Sequence, residues 1–163
     1  MNVPVKYLPK RLSKKDKAKQ KKQLQKSRAA YKKGIYINRK PLKSFKNKKS
    51  QHLINAEKIY KVNKVVINNN LAKKTGCSIK ALNKIVKKGQ GAYYSSGSRP
   101  NQTAHSWGIA RLASSISGGK AAAIDYNILQ EGCNNTNSKA LKLAKKSRIK
   151  NGYGTRKVPK TKL

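Results

Sequence analysis

The sequence predicts a mainly α fold, in which a small helical core over residues 65–133 sits between a basic arm (1–64) and a basic tail (134–163). Three observations lead there. Ser13-Lys14-Lys15-Asp16 opens a run with no helix breaker until Gly34. The stretch LAKKTGCSIKALNKI, residues 71–85, has the spacing of two helices joined by a tight turn. Thr103 precedes a further unbroken run that stops at Gly118-Gly119.

In chain order, Ser13 to Asp16 reads as a capping box with Asp in place of the usual Glu, so a helix is expected over 14–33 with Gly34 just beyond it. Its apolar residues are only Ala18, Leu24, Ala29, Ala30 and Tyr31, too few for a core-facing stripe. The helix is therefore expected to be held by an anionic partner, or to remain partly frayed in solution, rather than to fold on its own burial. GIYINRKPLKSFKNKKSQ reads as an extended arm broken by Pro41, and 52–62 as a short element of either type. In the core, Ala72, Gly76, Leu82 and Ile85 occupy the four slots of a helix-turn-helix: a small residue, a turn glycine and two apolar residues that fold back. Ser78 is placed to cap the second helix and Gly89 to end it. A short strand is then expected over Ala92-Tyr93-Tyr94-Ser95, a turn over 96–101, and a helix from Ala104 to Ser117 capped by Thr103. Gly108 inside that helix marks close approach of another backbone. After a polar NNTNS loop, a helix over 139–150 is expected, capped by Asn137 or Ser138 and stopped at Asn151-Gly152; the closing GTRKVPKTKL reads as disordered in isolation.

Charge narrows the function. The 163 residues hold 41 Lys and Arg against four acids, a net +37, and a body so charged is expected to live against a polyanion. Thirty-four of the 41 are Lys, which suits neutralisation of charge more than forked reading of base edges. Four acids leave no carboxylate pair for hydrolytic chemistry. Cys77 and Cys133 lack the clustered spacing of a zinc site; reduced thiols in an intracellular setting are expected, with a disulfide left open. Neither a membrane-spanning run nor a signal peptide is read.

GAYYSSGSRPNQTAHSWG, residues 91–108, is poor in lysine and holds the single Trp. As an active site it offers His105 among Ser95, Ser96, Ser98 and Ser106 with Asp125 as a remote acid, a set that chance supplies. The approach to Lys120 falls short of a phosphate loop, because Ser114 replaces the first Gly and Ala121 the metal-binding hydroxyl. As a nucleic-acid reader it offers Tyr93, Tyr94 and Trp107 to stack bases and Arg99 to fork a phosphate. The reading preferred is a packed joint, with Tyr94 and Trp107 in the core and Arg99 on loop carbonyls or on Asp125. The residues expected to matter structurally are thus Gly76, Tyr94, Trp107, Gly108 and Asp125. Those expected to meet a polyanion are Lys14, Lys15, Lys17, Lys19, Lys21 and Lys22 on the first helix, Lys80, Lys84, Lys87 and Lys88 on the helix after Gly76, and Arg99.

Residues 71–133, LAKKTGCSIKALNKIVKKGQGAYYSSGSRPNQTAHSWGIARLASSISGGKAAAIDYNILQEGC, resemble a family of small Lys-rich proteins of nucleocytoplasmic large (giant) double-stranded DNA viruses. YLPKRLSKKDKAKQKKQLQKSRAAYKKG resembles that family's N-terminal arm. The resemblance carries over no catalytic residue. It implies a setting of viral particle or factory, with DNA, an internal membrane and a capsid lattice. The function expected is therefore a non-enzymatic virion structural protein, a minor capsid component of the inner capsid layer found in host cytoplasm or factory before assembly. Its basic arms would tether acidic capsid proteins or an anionic membrane surface. The alternative is a non-specific DNA-binding or condensing protein that holds double-stranded DNA through the Lys arm and the helix-turn-helix segment. No cofactor, metal or small-molecule substrate is expected.

Overall fold

The computed structural model describes residues 1–154 and 158–163. Among them are eight α-helices and one two-stranded ribbon, so the protein is mainly α as its sequence predicts. The chain divides into two units: residues 1–48, 90–107 and 157–163 form one, and residues 49–89 and 108–156 the other. This differs from an arm, a core and a tail, because the chain passes between units inside two helices, after Gly89 and before Gly108.

In the first unit, strand β1 (Asn2–Pro4) pairs antiparallel with β2 (Lys160–Lys162), Val3 opposite Thr161. The tail expected to be disordered thus contributes a strand; its Thr155, Arg156 and Lys157 lie outside the described residues. Helix α1 (Lys14–Tyr31) starts where Ser13 predicts it, the Ser13 hydroxyl accepting from the Asp16 amide at 3.2 Å. The capping box is only half formed. The Asp16 carboxylate accepts instead from the amide (2.9 Å) and hydroxyl (2.6 Å) of Ser44, and that hydroxyl accepts from the Ser13 amide at 3.1 Å. Those Ser44 hydrogen bonds hold the Asp16 carboxyl below the usual carboxylate range, with Lys19 and Lys15 assisting.

The expectation that α1 lacks burial of its own fails. Gln20, Leu24 and Ser27, spaced four and three apart, form a buried stripe. Leu24 joins Val3, Tyr7 and Leu8 in a small apolar cluster, and the Gln20 side-chain amide donates to the Tyr7 carbonyl at 3.2 Å. The segment after α1 is extended but is no free arm, since Leu42 and Phe45 are buried with Leu12.

In the second unit, helices α2 (Gln51–Tyr60), α3 (Asn69–Thr75), α6 (Lys120–Ile124), α7 (Tyr126–Gly132) and α8 (Lys139–Asn151) join residues 79–89 of α4 (Ile79–Ser95) and 108–116 of α5 (Ala104–Ile116). Their shared core includes Leu71, Leu82, Ile85, Leu112, Ile116 and Leu129. It also takes in Ala56 and Tyr60 of α2 and Ala140, Leu141 and Ala144 of α8, so the core extends beyond 65–133 at both ends. The Tyr60 hydroxyl donates to the Ile116 carbonyl, and burial raises its pKa. Thr103 and Ser138 cap α5 and α8, their hydroxyls accepting from the Ser106 and Leu141 amides.

The strand expected over Ala92–Ser95 is absent: α4 runs through Gly89 and Gly91 to Ser95, and the turn follows at Gly97 with φ +111°. Gly89 breaks nothing because its missing side chain serves packing. A Cβ there would lie 2.6 Å from the Gly108 Cα. Gly108 is therefore the close-approach residue it was expected to be, and Gly89 is its partner. Gly89→Ala is expected to destabilise the protein by about 1–3 kcal/mol through overpacking, despite the ~1 kcal/mol that Ala gains over Gly in a helix. A thermal melt reads this as a lower Tm; an unchanged or higher Tm would show that the backbones separate freely.

Candidate polyanion interface

The turn between α3 and α4 follows the expected design. Gly76 has φ +73°, and the Ser78 hydroxyl accepts from the Ala81 amide at 3.1 Å to cap α4. Gly76 is required twice over, since a Cβ there would stand 2.7 Å from the Ser138 Cα. With Leu82 and Ile85 turned inward, Lys80, Lys84, Lys87 and Lys88 are all exposed on the opposite side of α4, along with Asn83. Lys80, Lys84 and Lys87 have no ion-pair partner among the described residues, whereas the Lys88 ammonium lies 3.1 Å from Asp125 Oδ1. The face is thus three free lysines and one already partnered.

On α1 the inward stripe of Gln20, Leu24 and Ser27 leaves Lys14, Lys15, Lys17, Lys19 and Lys22 exposed and Lys21 half-exposed. Both helices follow one rule. One stripe of each helix meets the protein and most of its lysines meet solvent, with almost no acid to answer them.

Asp125 is the second unit's electrostatic anchor. It is buried, and its Oδ2 accepts from Arg111 Nε at 2.9 Å and from the Ser115 hydroxyl at 3.1 Å, while Oδ1 accepts from Arg111 Nη2 at 2.7 Å. Its partners are Arg111 and Lys88, not Arg99 as the sequence suggested. Burial pushes the carboxyl upward, but the Arg111 hydrogen bonds and charge, then Lys88, outweigh it and hold the group below its ordinary pKa.

The 91–108 stretch departs from the expected packed joint at Tyr94, Trp107 and Arg99. Tyr93 is fully buried and Tyr94 only partly, the reverse of the expected emphasis. Trp107 is half-buried, edge-on to Tyr7 at 5.9 Å with the Lys6 ammonium 5.7 Å from its ring. Arg99 is exposed, as is His105. The cation that organises this unit is Arg39, which sequence reasoning passed over. Its guanidinium lies 3.8 Å from the Tyr93 ring centre and donates to the Ser27 hydroxyl, the Tyr93 carbonyl and the Ser98 hydroxyl, each at 2.9 Å. Its amide donates to the Tyr93 hydroxyl at 3.0 Å. Burial lowers the Arg39 pKa, with the Tyr93, Tyr7 and Tyr94 hydroxyls opposing the shift.

Among the described residues no cluster of His, Cys, Asp or Glu could hold a metal ion, and no helix is long and apolar enough to cross a membrane. Residues 4–132 match a family of unknown function, DUF5824, and the chain belongs to that family. No curated protein and no solved structure matches the chain.

Proposed function

We propose that this DUF5824 protein is a non-enzymatic structural component of a virus particle that binds a polyanion through the lysine-covered outer faces of α1 and α4. One observation carries the reading: α1 turns Gln20, Leu24 and Ser27 inward, α4 turns Leu82 and Ile85 inward, and both leave their lysines outward, in a chain of net +37. Three of its four acids are already engaged, Asp125 by Arg111, Asp16 by Ser44 and Glu57 by Lys49. Uncompensated surface charge of one sign favours a partner of the other. The resemblance of residues 71–133 to proteins of large DNA viruses supports the inner capsid layer as the location, and acidic capsid proteins or an anionic membrane surface as the partner. Because α1 is docked on its own unit, binding is by a formed surface rather than by a threading arm.

A second reading, double-stranded DNA, is favoured by Lys80, Lys84 and Lys87 on the second helix of a tight helical corner. Lysines there would meet phosphates rather than bases.

The deciding variant is Lys80/Lys84/Lys87→Ala, which leaves the Lys88–Asp125 pair intact. Wild type and variant are titrated against random-sequence duplex and against acidic capsid protein, at about 50 to 300 mM salt. The tether reading expects duplex binding to vanish by about 150 mM salt while capsid-protein binding survives and weakens in the variant. Duplex binding that persists, with a salt slope smaller in the variant by roughly 0.9 per lysine removed, moves the protein to the DNA reading. Binding to neither partner would overturn both.

A further inference from the structure

The segment after α1 carries a second, chemically different surface. Tyr31, Tyr36 and Tyr94 form an edge-to-face ladder, with ring centres 6.0 Å and 5.1 Å apart in that order. Tyr94 continues the ladder to buried Tyr93 at 5.0 Å. Tyr36 is 66% exposed, and Ile35 beside it is also exposed. Lys32, Lys33, Arg39 and Lys40 lie along the same segment. Next to the ladder is a concavity of about 400 Å³ lined by Asn38, Arg39, Tyr93, Tyr94, Thr103 and His105, among others.

Arg39 is fixed in that concavity with donors to spare. Both Nη1 hydrogens and one on Nη2 are taken by Ser27, Tyr93 and Ser98. Nε and the other Nη2 hydrogen have no acceptor among the described residues. Nε and Nη2 are the two atoms with which Arg111 grips Asp125. Arg39 has no such carboxylate, because the one acid of its unit, Asp16, is spent on Ser44. A strut joining α1 to α4 accounts for three donors and the stacked ring. It does not account for a partly desolvated cation left without an anion, which is costly, or for a ring as exposed as Tyr36.

We propose that this cleft binds single-stranded nucleic acid, with a backbone phosphate on the free Nε and Nη2 donors of Arg39 and a neighbouring base stacked on Tyr36 and Tyr94. A phosphate matches the planar donor pair, and bases stack on tyrosine without regard to sequence. Unpaired bases can reach such a ladder and paired ones cannot. The site uses none of the α4 lysines, so it stands apart from the duplex and capsid readings.

The test is fluorescence anisotropy of full-length protein with labelled oligo(dT), oligo(U), duplex of equal length and phosphatidylserine vesicles, at about 150 mM salt, where purely lysine-borne contacts fade. Tyr36→Ala removes an exposed ring and is expected to leave Tm unchanged while weakening oligonucleotide binding roughly tenfold, with duplex binding altered less than about twofold. Arg39→Lys keeps the charge, loses the fork and is expected to weaken the same ligands. Should that variant unfold, Tyr36→Ala decides alone. Binding of either sugar type supports the site. Oligonucleotide affinity untouched by Tyr36→Ala would overturn it, as would wild-type binding to oligo(dT) and oligo(U) that is no tighter than to duplex. Loss confined to vesicle binding would also overturn it, reassigning the patch to a lipid surface.

Discussion

Asp125→Ala is expected to destabilise the protein by about 3–5 kcal/mol, because it strands a partly buried guanidinium; for a chain of this size that is a fall in Tm of roughly 10 °C or more. Arg111 places two nitrogens on the two carboxylate oxygens, and its side chain is only 21% exposed, so water replaces the lost partner poorly. Lys88 is different. Its side chain is 46% exposed, and Lys88→Ala is expected to cost less than about 1 kcal/mol. The pH dependence has a definite sign. The folded carboxyl has a pKa lowered from its ordinary value, so its contribution is complete above the unfolded value of about 3.9 and is lost as pH falls through the lower folded value. Asp125→Asn keeps the volume but removes the charge. Urea midpoints should therefore separate wild type from Asp125→Asn most at neutral pH and converge below about pH 4. A gap that stays constant down to pH 3 would mean that the charge of Asp125 contributes nothing.

What could be read from the sequence depended on which residue types filled the buried positions. The α3–α4 corner was legible because Gly76, Ser78, Leu82 and Ile85 are the residues that a turn, a cap and a packed face each require. The docking of α1 was hidden because its stripe is Gln20, Leu24 and Ser27, and a count of apolar residues sees one of the three. The end of α4 was misplaced because glycine usually stops a helix, while Gly89 is there to admit Gly108. The helical period still ran through the disputed stretch: Leu82, Ile85, Val86, Gly89 and Tyr93 share one face, and all are buried. Following that period would have selected Tyr93 over Tyr94. The three-residue ribbon of Asn2–Pro4 with Lys160–Lys162 is too short and too polar to leave an alternation.

Arg39 had a signal in the amino-acid usage itself. Where a chain with 34 lysines uses one of its seven arginines, the planar fork tends to have an internal task that an ammonium cannot perform. Arg11 lies over Phe45, Arg39 over Tyr93, and Arg148 over Tyr126 and Tyr153. Arg28 reaches the Asn2 carbonyl, and Arg111 grips Asp125. Arg99, the arginine that the sequence singled out for binding, is exposed, as is Arg11.

The cysteines correct the expectation of reduced thiols. Cys77 and Cys133 are joined by a disulfide across 56 residues of chain. The bridge is set between two backbone hydrogen bonds, Ser78 amide to Gly132 carbonyl at 2.8 Å and Asn134 amide to Gly76 carbonyl at 2.7 Å. It ties the turn before α4 to the end of α7, where Gly132 allows close contact with Ala81. Sequence spacing could not show this, because it is the fold that makes two distant residues neighbours in an antiparallel bridge. Closing a loop of that length restricts the unfolded chain by about 4 kcal/mol in the chain-entropy picture, at the upper end of the measured range of about 2–4. Reduction, or Cys77→Ser with Cys133→Ser, is therefore expected to lower the urea midpoint and the Tm by an amount comparable to Asp125→Ala. The two losses should add nearly independently, since neither site's polar partners belong to the other. Thiol titration of urea-unfolded, unreduced protein should find no free thiol. Two free thiols, together with a midpoint indifferent to reductant, would return the cysteines to the buried apolar role that their neighbours in the core could also satisfy. With the bridge in place, stability becomes a function of redox conditions: the protein is weakest where the disulfide is reduced and gains about 2–4 kcal/mol where it is oxidised.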